Sequence, residues 1–413
     1  MISKGRVIRT GLFFALANLL ITEVIGMFLR YIMLYPVNGF IDRYWIHAHS
    51  HTGFLGWIFM VLAIMSYSMF LPKNGNINRR MYRVMIYCQI AVLGMVVTFP
   101  IMGYAALSIL FSTLHMVIAL LFVVIFFRNA VKTDLAAKFI KAGLVFMVIS
   151  SLGPLALGPI VVTGMRDTLW YNMAIYFYLH FQYNGWFTMA IFGLLFKLLE
   201  QLGLFVDEQK VKLFYRLLVY GIIMTLTLSF LGFGPSPYVR IVGILGAVLQ
   251  LWAGYLLLRI LFLKSDLSQL LVNNWLKWFF GMALFSWLLK IMLQFLSVIP
   301  VITDFVYLNR DAIMTYLHLS FLGFSTCFII GLFIFKRHLY ITGKVSQLGF
   351  LLFLVGVGLM ELTIGLRSLP QYLSLEFFSL LNYLLFFESI LLFVSVFIMM
   401  LFSFILPGRV IKQ

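Results

Sequence analysis

Charge is what this sequence has least of. Only 10% of its 413 residues are Asp, Glu, Lys or Arg, against roughly 25% in soluble domains. That scarcity excludes water as the main solvent for most of the chain. The acids are the rarer sign, 13 against 30 Lys and Arg. Cysteine is almost missing: Cys88 and Cys327 both sit in apolar runs, which excludes a disulfide framework and predicts reduced thiols packed in a bilayer. There is no Walker-type phosphate loop, no Cys-x-x-Cys-His haem attachment and no serine-nucleophile elbow, so those chemistries have no sequence support. A net charge of +17 would suggest nucleic acid as the partner of a soluble chain. In a chain that is 63% hydrophobic the placement of the charge matters more than its total, and no nucleic-acid partner is expected.

What is present is apolar sequence in long runs. A membrane helix needs about 20 mostly apolar residues, and such runs fall at 10–30, 51–71, 83–104, 106–127, 139–164, 171–196, 213–233, 238–262, 275–301, 311–335, 345–366 and 377–406. The expected fold is an all-α integral membrane protein of about twelve transmembrane helices, one polytopic domain over 1–413. The third and fourth runs are separated only by a tight turn near Gly103. Lys4, Arg6 and Arg9 before the first run imitate a signal peptide, but the run continues to Met27, which favours a retained first helix. With the N-terminus inside, 23 of the 30 basic residues lie in inner segments. The outer segments hold only Arg30, Arg43, Arg166, Arg240, Arg310 and Arg367. This asymmetry predicts both termini in the cytoplasm.

Three of the seven histidines share a context: His51-Thr-Gly-Phe-Leu-Gly56-Trp57, His180-Phe-Gln-Tyr-Asn-Gly185-Trp186 and His318-Leu-Ser-Phe-Leu-Gly323-Phe324. Composition gives Gly followed by Trp or Phe at this offset a chance of about 1% per histidine. The three lie in runs 2, 6 and 10, which points to an internal four-helix repeat with approximate bounds 1–138, 139–265 and 266–413, a pseudo-threefold plan. Helical rise places His318 about 10 Å below Asp311, His180 about 13 Å below Tyr171 and, if that stretch is helical, His51 about 12 Å beyond Arg43. His115 in run 4 lies at a similar level. Polar side chains at such depth usually face the bundle interior, and an imidazole with its second nitrogen hydrogen-bonded is a good ligand for haem iron. Each is equally readable alone as a hydrogen-bonding core or interfacial residue. His47-Ala-His49-Ser-His51 is a local cluster in which helical geometry puts His47 and His51 on one face and His49 on another. A closed three-histidine zinc site would require that stretch to be partly extended. His338, between basic residues in an inner loop, is assigned no role.

Glu23, Lys290, Glu361 and Glu388 interrupt apolar runs. Charge at that depth calls for a partner, neutralisation or a water-filled path; the readings are a proton route or a static Lys–Glu pair. Gly153-Pro154 and Gly158-Pro159 interrupt run 5, as in transporters that expose backbone at a binding site, or as kinks that aid packing.

In helix number, inside termini, four-helix repeat and histidines on helices 2, 6 and 10, the chain resembles subunit I of the haem–copper oxidases. The segments that carry the resemblance are His47-Ala-His-Ser-His51…Gly56-Trp57 through Pro72, and Tyr316-Leu-His318. It looks nearest to the divergent branch of NnrS-like and C-type-oxidase-like proteins. The resemblance implies His51 (or His49) and His318 as axial ligands of a low-spin b-type haem. For its propionates, Arg43, Arg166, Arg310 and Arg367 are suitably placed near the outer face. A second, weaker haem or metal site would draw on His180 and His115; the possible metal ligands are thus His51, His318, His180, His115 and His47. The departures matter as much. Only one histidine stands where the family has a His-x-His pair in helix 10, and none lies between His180 and His318, where the family has its copper pair. The place four residues after His180 holds Asn184 rather than tyrosine. No conventional copper B site is expected, and an oxygen-reducing centre is excluded on these residues. The resulting expectation is a haem-binding protein of a bacterial cytoplasmic membrane that carries electrons or handles nitric oxide or another small gas. Its partners would be the lipid bilayer and a redox protein or gas ligand; any enzyme activity would be that of a membrane oxidoreductase. The alternative is a transporter or channel for protons, metal ions or a small solute, with Lys290, Glu388, Glu23 and Glu361 along the path.

Overall fold

The computed structural model describes residues 2–204, 206–234, 236–262, 267–271, 273–369 and 374–405. Among these there is no strand; the protein is all-helical. The main helices are α1 (Lys4–Leu34), α2 (Asp42–Phe70), α3 (Gly75–Met102), α4 (Ala106–Asn129), α5 (Leu135–Val162), α6 (169–201), α7 (Glu208–Phe233), α8 (Pro237–Phe262), α9 (Asn274–Leu296), α10 (Arg310–Phe335), α11 (Lys344–Arg367) and α12 (Leu375–Phe404). A short helix, Pro300–Leu308, precedes α10. Eleven of these helices, all but α6 and the short one, are long and apolar enough to cross a membrane; the protein is a multi-pass membrane protein. α6 has the length, but His180, Gln182, Tyr183 and Asn184 dilute its apolar sequence. The end of the twelfth run at 406, the basic residues Lys264, Arg409 and Lys412, and the repeat boundary at 265/266 lie outside the described residues.

Helix starts follow the side chains that satisfy otherwise unpaired backbone N–H groups. Ser3, Asn74, Asp134, Asp207, Asn273, Asn309 and Ser374 each accept a backbone N–H from the first turn they precede. The α3–α4 turn is as tight as the sequence suggests: Gly103 takes φ +59°, and a Cβ there would meet the Tyr44 ring at 2.3 Å. Run 5 is one helix bent near Ser151, where Ser150 and Ser151 turn their hydroxyls onto the carbonyl of Met147. Asp207 accepts the N–H groups of Gln209 and Lys210 at 3.1 and 3.3 Å. The Lys210 N–H, foremost, holds its carboxyl below the usual range. Because the folded value is depressed, this cap is fully present above the ordinary carboxylate range and is lost as pH falls through it. Hydrogen exchange of the first turn of α7 should therefore quicken on acidification, and Asp207→Asn should remove that pH dependence.

Packing divides the chain into two units. One comprises Met1–Ala130 and Ile329–Gln413, the other Val131–Phe328. The expected repeat boundary at 138/139 lies close to the first division. In the first unit a core of Ile25, Ala48, Val92, Met95 and Phe99 joins α1, α2 and α3. Asn18 of α1 donates to the carbonyl of Gly56 at 3.0 Å and to Gln89 Oε1 at 2.8 Å, and Gln89 donates back to Asn18 Oδ1 at 3.0 Å. In the second unit the rings of Phe192, Phe214, Trp287 and Phe324 interlock, with centroids 4.9–6.4 Å apart. Lipid tails are as apolar as these side chains, so close packing and buried hydrogen bonds, rather than escape from water, hold the helices together.

Candidate functional site

The three matched histidines share a local structure. Each is the last residue of an α-helical stretch, Asp42–His51, Leu169–His180 or Arg310–His318, and each is followed by π-helix: Thr52–Phe59, Phe181–Phe187 or Leu319–Thr326. Such segments are rare and concentrate at functional sites. They also account for the offset of five between histidine and glycine. Five residues advance about 140° past one full turn in an α-helix, whereas the i→i+5 bonding of a π-helix stacks the two positions. The glycine is needed because another side chain closes on it. A Cβ on Gly56 would meet Asn18 and Val92 at 2.9 Å, one on Gly185 would meet Phe146 at 2.6 Å, and one on Gly323 would meet Ser286 at 2.5 Å. The aromatic that follows, Trp57, Trp186 or Phe324, is at most 4% exposed.

Burial changes at each histidine. Before it, only Ala48 is buried in Asp42–His51, only Ala174 and His180 in Leu169–His180, and no residue in Arg310–His318. After it, nearly every residue is buried, from Gly56 to Leu71, Phe181 to Leu199 and Leu319 to Ile334. The histidines thus stand at the edge between a half-open stretch and a sealed one.

In the first unit, Asp42–His51 is helical, so His47 and His51 share a face and His49 faces away. The His51 Nδ1 lies 2.9 Å from the carbonyl of His47, and its Nε2 lies 3.3 Å from the Tyr104 hydroxyl. Phe99 packs on the same ring at 4.5 Å, and His47 sits 4.6 Å from the Tyr104 ring. His49 turns to α1, with Nδ1 3.0 Å from the carbonyl of Thr22. His115, 2% exposed, hydrogen-bonds the backbone of Leu55, within the π-helical stretch of α2, and packs against Phe59 at 4.9 Å. Its Nε2 is buried with no hydrogen-bond partner among the described residues.

In the second unit His180 is spent at both nitrogens: Nε2 lies 2.8 Å from the carbonyl of Ile222 and Nδ1 lies 3.1 Å from the Asn184 amide. That geometry gives it a structural task and leaves it poorly suited to the metal role considered from sequence. His318 is half-buried. Lys290, 1% exposed, lies over the ring of Tyr183 at 5.4 Å, a contact worth about 0.5–2 kcal/mol. Within its unit a tyrosine ring, not the carboxylate of a static pair, is what it meets. The Tyr316 hydroxyl donates to Gln294 Oε1 at 3.4 Å.

The remaining predicted residues are dispersed. Glu388, 3% exposed, accepts a 2.6 Å hydrogen bond from Thr363. Both carboxyl oxygens of Glu361 are buried without a partner among the described residues. Glu23 is buried in α1. Arg367, 6% exposed, lies over the Phe378 ring at 4.8 Å, while Arg43 and Arg310 are exposed. Among the described residues no three His, Cys, Asp or Glu side chains converge as a metal site. The sequence reading missed Tyr104 and Phe99, the two rings that frame His51; their nearness to the α3–α4 turn was the available signal. Compared with known proteins, the chain matches no family model and resembles no curated protein at a significant level.

Proposed function

We propose that this chain is a haem-binding protein of a bacterial cytoplasmic membrane, built on a haem–copper-oxidase-like plan of twelve crossing helices with both termini inside. The observation that carries the reading is His51: one ring nitrogen is tied to a backbone carbonyl while the other is presented beside Tyr104 at the edge of a half-open stretch. A carbonyl bond at Nδ1 fixes the tautomer and makes Nε2 the coordinating atom, so the donor fits haem iron. His115 has the same disposition, with its unpaired Nε2. His318 is the further candidate from the resemblance. The 23 to 6 partition of basic residues supports the topology, and the three π-helical stretches support the repeat. α6 is then the twelfth crossing helix, its polar residues turned inward.

Bound haem would supply one-electron chemistry, or an iron for a small gas where one coordination position stays open. The protein's own part is to hold imidazoles at fixed tautomer and depth, to exclude water below them with buried aromatics, and to place the Tyr104 hydroxyl beside His51. Electron transfer or handling of nitric oxide or a similar gas follows better than oxygen reduction, since the chain has no histidine between His180 and His318.

The test is a reduced-minus-oxidised visible spectrum of detergent-purified protein with a pyridine haemochrome assay. Sharp low-spin bands at about one haem per chain are expected. Protein made with ample haem that carries none would overturn the reading and favour transport.

A further inference from the structure

Independently of whether haem binds, we infer that the second unit holds a binding site for a small monovalent anion with oxygen acceptors, a carboxylate or an oxoanion of nitrite size, with Lys290 as its cation. Lys290 is 1% exposed, yet among the described residues of its unit it has no carboxylate partner and no hydrogen-bond acceptor. A buried ammonium group in that state lacks a counter-charge, and the cost of leaving it so is several kcal/mol.

What surrounds it is rich in donors. The Tyr183 ring lies under its Nζ at 5.4 Å, and the Tyr183 and Tyr316 rings are 5.9 Å apart. The hydroxyls of both tyrosines approach the Asn184 amide. Gln294, one turn along α9 from Lys290, receives the Tyr316 hydroxyl at 3.4 Å. The floor is apolar: Phe321 packs 5.9 Å from both Tyr183 and Phe187. Access is provided by Arg310–His318, none of which is buried. A cation, two phenol hydroxyls and an amide above a dry aromatic floor suit an anion, because its charge replaces the missing carboxylate and its oxygens accept the donors. The small size of the site's polar part and its single positive charge favour one negative charge over two.

The experiment uses the full-length protein in detergent and formate as the probe, with gluconate keeping ionic strength constant. Formate should raise the apparent melting temperature with saturation. Tyr316→Phe should weaken the half-saturating concentration about tenfold, the scale of a hydrogen bond to a charged group. Lys290→Met should abolish the effect. The same saturable rise in folded Lys290→Met, or no saturable rise with formate or nitrite in the native protein, would overturn the site. If Lys290→Met does not fold, Tyr316→Phe and Tyr183→Phe decide: unchanged half-saturation in both overturns it as well. Because the readout is stability and not a haem spectrum, loss of the haem reading leaves this result interpretable.

Discussion

Replacing His51 with alanine should remove the low-spin haem bands, taking the haem content from about one per chain to near zero. The loss is chemical, not structural. His51 is half-buried at the end of its α-helical stretch, so truncation leaves no sealed cavity and the variant should fold. External imidazole should restore part of the absorbance, because a free ring can occupy the space left beside Phe99 and Tyr104. The neighbouring histidines provide the controls. His49→Ala should keep the spectrum, because its ring is committed to the carbonyl of Thr22 on the opposite face. His180→Ala should also keep it but lower stability, since the carbonyl of Ile222 and the Asn184 amide both lose a partner in the interior, at about 1–3 kcal/mol for a buried group left unsatisfied. His318→Ala, read separately because His318 belongs to the other unit, should abolish the bands as His51→Ala does. A folded His51→Ala protein with an unaltered spectrum would refute the assignment.

The second large effect is expected at Gly185. Leucine there must displace Phe146, whose Cβ and Cγ lie 2.6 and 2.9 Å from where a new Cβ would stand. Phe146 cannot swing aside cheaply, because its ring stacks on Phe181 at 5.5 Å and it is 5% exposed. Overpacking of this kind costs about 1–3 kcal/mol, and more where backbones must part. Gly185→Leu should lower the apparent melting temperature by many degrees and reduce the folded yield. Gly323→Ala should be milder, since its nearest obstacle is the Ser286 hydroxyl, which can rotate. Gly281→Ala, with nothing within 4 Å, should be neutral or slightly stabilising in a helix. Equal melting temperatures for Gly185→Leu and Gly281→Ala would show that the close approach at Gly185 is not a packing constraint.

The sequence made the helices legible because apolar runs of membrane length have few other uses. It also made the helical register of His47, His49 and His51 legible, since charge and spacing alone put Arg43 and His51 on one continuous helix. It misplaced where α2 begins: apolarity starts at His51, whereas the helix starts at Asp42, ten polar or aromatic residues earlier. Hydropathy sees solvent preference and not backbone hydrogen bonding. The π-helical stretches were present in the motif only as an offset of five, a spacing that is foreign to the α-helix and was treated as a coincidence of composition. The partners of Lys290 were out of reach for a different reason. Tyr183 and Tyr316 lie on other helices, and one sequence carries no signal of which helices touch.

The change of winding below each histidine has a consequence for how such a site can vary. Inserting or removing one residue in an α-helix moves everything beyond it by only about 1.5 Å along the axis but by about 100° around it. A π-helical stretch absorbs such a residue locally. The sealed half of α2, α6 or α10 can therefore keep its side chains in place while the open half is dialled to a new bearing. Depth is set by the length of the helix, bearing by the wide turns, and the two are adjustable separately. Three helices with the same device at the same place in their motifs amount to three independent bearings around one level of the membrane.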